Sequence, residues 1–397
     1  MNRNVWMCSL TAGLFALTIN IGMFVIPTFS TEVLGVADAQ VGILVAAPGV
    51  LAMLLMIPSA PLSNRFGRRR VMIASAIANT VAALLYLIAT SFGQVLVAQI
   101  VFGIANAFFW PSNLTYLCEV AGPEWLQQAQ ATNTASQGVG LVLGPILAGG
   151  LIGWSGYRGA LGLWLAIAIV NLILSILLRP LPTQTPAESL GMSIRQSMGG
   201  IPAMMKNSKL VVAMTSQFLS AAFVTSIGGA FLVLFAQDVG FTATSASLLL
   251  SLRELSGTLS RAMYPRIRRY VDNLIILSTV PIVAGVALLL GFVYPVLPVS
   301  VLVVAVAGFA LGIVAPAGNT EASENATPAS LAETIAVVVA MFQVGSVVFP
   351  SVTGLLISSA GRARGLVEAT GLVLVLAIWP LTVALRESRQ SRASQCM

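Results

Sequence analysis

The sequence predicts an all-α integral membrane protein of twelve transmembrane helices, arranged as two parallel six-helix repeats. Three observations carry this prediction. The composition is too apolar for a water-soluble globule, apolar runs of membrane-spanning length recur along the whole chain, and a pattern of small residues repeats after a fixed interval. Of 397 residues, 57% are hydrophobic and only 8% are charged, which leaves too little polar material to cover a soluble surface.

Crossing a hydrocarbon core of roughly 30 Å takes about 20 apolar residues in a helix. Such runs lie near residues 6–30, 41–62, 71–90, 93–117, 131–153 and 160–178, and then near 210–236, 243–264, 274–294, 299–322, 334–358 and 366–385. Twelve spans leave only short connections and no room for an extramembrane domain. The one long break, 179–209, separates an N-terminal six-helix bundle (1–178) from a C-terminal one (210–397) and reads as a cytoplasmic linker. Within it Leu190, Ile194, Met198, Ile201 and Met205 recur at spacings of three and four, as in a short helix lying on the inner leaflet. Pro202 and the pair Gly199 and Gly200 speak for a flexible linker instead, and both readings stand.

Charge sets the orientation. With both termini inside, the cytoplasmic loops and ends collect Arg65, Arg68, Arg69, Arg70, Arg179, Arg195, Lys206, Lys209, Arg266, Arg268 and Arg269, together with Arg3, Arg386, Arg389 and Arg392. The other side has only Arg158, Arg362 and Arg364, as the positive-inside rule requires. The net charge of +7 thus expresses topology and contact with the bilayer, and no nucleic-acid partner is expected. The first apolar run is too long for a cleaved signal peptide and lacks a small-residue cleavage site. Cys8, Cys118 and Cys396 are too scattered for a disulfide framework. With no histidine in the chain, the usual zinc and copper sites are excluded, no metal or cofactor is expected, and any proton-linked step falls to a carboxylate.

The repeat supports the halving. A shift of 205 residues places Gly103 on Gly308, Pro111 on Pro316, Glu119 on Glu324, Pro123 on Pro328, Gly140 on Gly345, Pro145 on Pro350 and Gly149 on Gly354. Gly35 falls on Gly240, and the basic stretch at 68–70 lies close to that at 266–269. Two six-span halves of the same orientation form a parallel repeat known among secondary transporters.

Two motifs now make a resemblance specific. "APLSNRFGRRRVM" (60–72) resembles the loop between helices 2 and 3 of the major facilitator superfamily: Leu62, Arg65, Gly67, Arg68, Arg69 and Met72 match, while Ala60 and Asn64 stand for its glycine and its acid. "GLVLGPILAGG" (140–150) is similar to the helix 5 motif of the drug/proton antiporter branch, through Gly140, Gly144, Pro145 and Gly149, with Ala148 where glycine is commoner. The resemblance covers the whole chain. It implies a conformational latch at Asn64, Arg65, Gly67, Arg68, Arg69 and Glu119, and close helix packing at Gly140, Gly144, Pro145 and Gly149. Asn64 can cap a helix end but cannot supply the anionic half of an ion pair. Gln99 replaces the helix 4 arginine associated with proton coupling in this family.

Charge at mid-membrane persists mainly at protein-lined cavities. Helix 8 holds Arg253, Glu254 and Arg261, the expected proton-coupling group. Arg253 and Glu254 point about 100° apart and are not expected to be simply each other's partner, whereas Glu254 and Arg261 share a face. A structural role in ion pairs with other helices is the competing reading. Asn20, Asn106, Asn113, Gln137, Gln217 and Gln343 lie on helices that line the family's central cavity, and Trp110 could stack on a substrate ring. Each is equally readable as an interhelical hydrogen bond or a packing contact.

No nucleotide-binding sequence is present, so a gradient must drive the cycle. The chain is expected to be a non-enzymatic, monomeric secondary transporter of a bacterial cytoplasmic (inner) membrane, exporting a small amphipathic organic molecule in exchange for protons by alternating access. The alternatives are import of a small metabolite or metal-chelate complex, or a transport-dead receptor or scaffold.

Overall fold

In hydrocarbon no water satisfies a bare amide, so a chain with this many apolar runs must close its backbone hydrogen bonds within each run as helix. The computed structural model describes residues 3–181, 204–326 and 331–395, and every regular element among them is helical. We label α1 (Arg3–Glu32), α2 (Asp38–Phe66) and α3 (Arg68–Ile88), followed by one long helical segment, Phe92–Leu177. Gly122 (φ 68°) and Gly156 (φ 71°) break that segment, because both adopt a left-handed φ that no helix continues through. The breaks give α4 (92–121), α5 (123–155) and α6 (157–177). The sequence reading expected a gap of a dozen residues after residue 117, but helix runs through it to the single residue Gly122.

The second half contains α7 (Ser208–Asp238), α8 (Ala243–Ile267), α9 (Asn273–Val293), α10 (Leu297–Glu324), α11 (Leu331–Ala360) and α12 (Arg362–Gln395). Ten helices among the described residues are long and apolar enough to cross a membrane. That set counts Glu124–Leu177 as one although it turns at Gly156, and it omits α8, the helix that carries Arg253, Glu254 and Arg261. Within α7, Ala222–Ala230 widens to a π-helix, and Gly229 there leaves helical geometry altogether (φ −108°, ψ −106°).

The described residues fall into two compact units. The first holds α1 to α6 with residues 236–251; the second holds α7 as far as Phe235 and everything from Leu252 onward. Each is built on the same close approaches. In the first, Gly140 of α5 lies against Gly13 of α1, and Gly103 of α4 lies against Pro48 and Leu51 of α2. In the second, Gly345 of α11 lies against Phe218 of α7, and Gly308 of α10 lies against Arg253 of α8. Each second-unit contact is the first-unit contact shifted by 205 residues, so the repeat in the sequence records which backbones must touch. Aromatic rings fill the centre of the first unit: Phe15 stacks on Phe109 with centroids 4.0 Å apart, and Tyr86 packs on Trp164 at 4.8 Å.

The linker pattern at Leu190, Ile194, Met198 and Ile201 lies outside the described residues, as do Arg195, Pro328 and the side chain of Asn64. Cys8 and Cys118 are free thiols, and Cys396 also falls outside the described residues.

Candidate functional site

A permanent charge inside hydrocarbon demands a partner, and α8 provides two charges in successive positions. Arg253 is 2% exposed and Glu254 9%. The two do pair, though not with each other alone: Nε of Arg253 donates to Oε1 of Glu254 at 3.2 Å, and Nη2 meets the same oxygen. The arginine stem is long enough to fold back over the 100° that separates the two side chains. Nη1 donates to the carbonyl of Val224 at 3.1 Å and also to that of Gly228. Both carbonyls belong to the π-helical stretch of α7, where widened geometry leaves carbonyl oxygens open to a guanidinium. Arg253 therefore ties α8 to the irregular part of α7 while Glu254 neutralises it. Arg261 is half-buried two turns further along α8.

The polar set expected to line a cavity divides. Asn20, Asn113 and Gln217 are buried. Asn20 donates to the carbonyl of Leu141 at 2.7 Å, Asn113 donates to the carbonyl of Cys8 at 3.1 Å, and Gln217 packs beneath Gly318. These side chains join helices. Asn106, Trp110 and Gln137 in the first unit and Gln343 in the second are half-buried. Asn106 and Trp110, four residues apart, share a face of α4, and the Trp110 ring stands edge-on to Phe15 and Phe109.

At the α2–α3 turn, Gly67 takes a positive φ of 90°. Arg68, 8% exposed, pairs with Glu119 of α4 at 3.0 Å, and Arg69 donates to the carbonyl of Ile176 on α6 at 2.6 Å. Arg65 is exposed and lies over the Phe66 ring. The second unit has its own pair, Arg268 with Glu324, and the hydrogen bond to Glu324 raises the guanidinium pKa above its ordinary value. The 205 shift takes Glu119 to Glu324, but it takes Arg68 to Asn273, so the cation comes from a different position. In α5, methyl groups added to Gly140 and Gly144 would meet the backbone of α1, and one on Gly149 would meet Ser247 within the same compact unit. Pro145 sits between these contacts.

The π-helical stretch and its tie to Arg253 were not read from the sequence. The signal was the small-residue run "SIGGA" (226–230), which offers little side-chain packing to hold an α-helix regular.

The sequence profile of the Major Facilitator Superfamily matches residues 8–211 and 213–395. The chain belongs to this superfamily. Among curated relatives, superfamily resemblance extends to the multidrug resistance protein B homolog of Mycobacterium tuberculosis (strain CDC 1551 / Oshkosh), 31% identical over 141 residues, which is 35% of this chain and 26% of that protein. A Na(+), Li(+), K(+)/H(+) antiporter of Planococcus maritimus is 28% identical over 122 residues, 30% of this chain and 28% of its own length. The matches thus span about a quarter of the length of these relatives. Among solved structures, the nucleoside transporter NupG superposes with a TM-score of 0.80 at 16% identity, covering 96% of this chain and 99% of that one. A bacterial homolog of the human lysosomal transporter Spinster, inward-facing and occupied, reaches 0.77 at 17% identity, covering 97% and 96%. At these identities the likeness is one of fold. This superfamily member is a multi-pass membrane protein by its helices and its family.

Proposed function

We propose that the protein is a secondary active transporter that exports a small amphipathic organic molecule, exchanging it for protons. The bundles 1–178 and 210–397 move as the two halves of an alternating-access cycle. The protein works as a monomer in a bacterial inner membrane with both termini in the cytoplasm. The observation that carries the reading is the buried Arg253–Glu254 pair tied to the π-helical stretch of α7. An ion pair at that depth is costly, and its neutralisation by a proton at Glu254 would free Arg253 to change partners. Arg261 stands ready on the same helix. The half-buried set of Asn106, Trp110, Gln137 and Gln343 suits a substrate with an aromatic or apolar body and one or two polar groups. The multidrug and cation/proton antiporter names of the relatives point in the same direction. The latch at the α2–α3 turn, with Asn64, Arg65, Gly67, Arg68, Arg69 and Glu119, gates the cycle.

The test is efflux from proteoliposomes holding ethidium, a planar amphipathic cation, under an imposed pH difference. Export that rises with the gradient and stops with a protonophore is the expected result. Flux indifferent to the gradient sinks the coupling, and no flux for ethidium or a panel of neutral and anionic dyes sinks the export reading.

A further inference from the structure

A cleft of about 400 Å³ opens on the second unit at the α8–α9 turn, lined by Lys209, Arg268, Arg269, Tyr270, Asp272, Asn273, Glu321 and Glu324 among others. Most of these side chains are exposed, so the cleft is wet. The exceptions are Glu321, at 4% exposure on the last turn of α10, and Asn273, at 7%.

The partners of Glu321 are amides. Nδ2 of Asn273 donates to Oε2 at 2.7 Å, and Nδ2 of Asn325 donates to Oε1 at 2.9 Å. This sets Glu321 apart from Glu254. A guanidinium only donates and never loses its charge, so it suits a carboxylate alone. A carboxamide carries both a donor and an acceptor, so it can serve a carboxylate or, after turning over, a carboxylic acid.

The two amides differ in their freedom to turn. Asn273 is pinned, because its Oδ1 accepts from the Tyr264 hydroxyl at 2.9 Å and its Nδ2 also donates to the carbonyl of Ala317 at 3.0 Å. Asn325 is held more loosely: its Oδ1 receives only a long 3.4 Å contact from Asn207, beside its own donation to the Glu321 carbonyl. The remaining charged groups at the site balance. Lys209 on α7 and Glu324 on α10 act on the carboxylate with opposite sign, Glu324 is itself paired with Arg268, Asp272 caps α9 at Leu274, and Arg269 stands at the rim.

We infer that Glu321 is a second protonation site of this protein, exchanging protons with the water of this cleft through Oε1. A hydronium ion there gives its proton to Oε1 and leaves as water. The Asn325 amide then turns its oxygen to accept from the new O–H, while Asn273 keeps its bond to Oε2. The return step reverses each movement. The inference deepens the proton-exchange reading above by adding a site at the end of the second unit, distinct from Glu254.

Infrared difference spectra of the full chain in lipid nanodiscs, without substrate, across about pH 3 to 9 test it, since that interval covers the range in which protein carboxyls ordinarily titrate. The expected result is a carboxylic-acid C=O band that grows on acidification, disappears in Glu321→Gln and persists in Glu254→Gln. Asn273→Leu removes a donor to the carboxylate and should move the band's midpoint up by about one to two pH units. This variant serves even where Glu321→Gln fails to fold. A band unchanged in Glu321→Gln, no titrating band in the parent, or a midpoint unmoved in Asn273→Leu overturns the inference. Absence of the band alongside gradient-driven efflux defeats this inference alone, and its presence without efflux defeats the export reading alone.

Discussion

Gly140 of α5 faces the backbone of α1 so closely that a single methyl group has nowhere to go. A Cβ built there falls deep inside van der Waals contact with the carbonyl oxygen of Gly13, 2.9 Å from the amide nitrogen of Leu17 and 3.1 Å from the carbonyl carbon of Gly13. All three atoms are backbone, so no rotamer change relieves the clash. The helices must separate by at least about 0.5 Å to bring the Leu17 contact to an ordinary distance, and further for the Gly13 oxygen. That separation also loosens the neighbouring approach of Gly144 to Leu17 and Asn20 and strains the Asn20 hydrogen bond to Leu141. Overpacking of this kind costs about 1 to 3 kcal/mol, and helix association in a membrane depends on such contacts. Gly140→Ala should therefore lower the midpoint of thermal unfolding in detergent, followed by tryptophan fluorescence, by several degrees. Gly150→Ala, one helix position where an added methyl meets nothing within 4 Å, should leave it unchanged. Gly345→Ala should resemble Gly140→Ala, because its methyl would meet the carbonyl of Phe218 and stand 2.7 Å from the Ala221 Cβ. If Gly140→Ala and Gly150→Ala melt together, the α1–α5 contact is not as close as described and the packing argument fails.

Other expected outcomes follow from the same geometry. Gly144→Leu should leave a folded protein, judged by size-exclusion profile, that no longer transports in proteoliposomes; normal flux would remove any role for the α5 motif. Glu254→Gln takes the countercharge from Arg253 but leaves it the carbonyls of Val224 and Gly228, so the variant should bind ethidium independently of pH and lose uphill export, whereas continued accumulation against a gradient would make the carboxylate structural. Asn64→Asp supplies the acid of the family pattern and should raise the population of the outward-open form that an intact latch holds. Spin-label distances across the cytoplasmic gate that do not change would refute this.

The all-helical membrane architecture and the 205-residue repeat were legible because each rests on a one-dimensional regularity: hydrocarbon thickness, and glycines at the positions where backbones meet. Pairings of long side chains were not legible in the same way. Arg253 and Glu254 point apart at their Cα atoms, yet the arginine reaches round to its neighbour because the π-helical carbonyls of α7 fix its other end. Asn113 and Gln137 look alike in the sequence, but only the packed bundle distinguishes the first, spent on the Cys8 carbonyl, from the second, which stays half-exposed.

By itself the sequence determined a helical membrane protein of two related halves, because a hydrocarbon solvent allows few other folds to a chain so apolar and so repetitive. The tertiary structure alone decided which buried charges are neutralised and by whom. Glu254 sits on a guanidinium and Glu321 on two amides, and that difference depends on which helices pack against each carboxylate, since the free energy of a buried charge is set by its surroundings in space rather than by its neighbours in the chain.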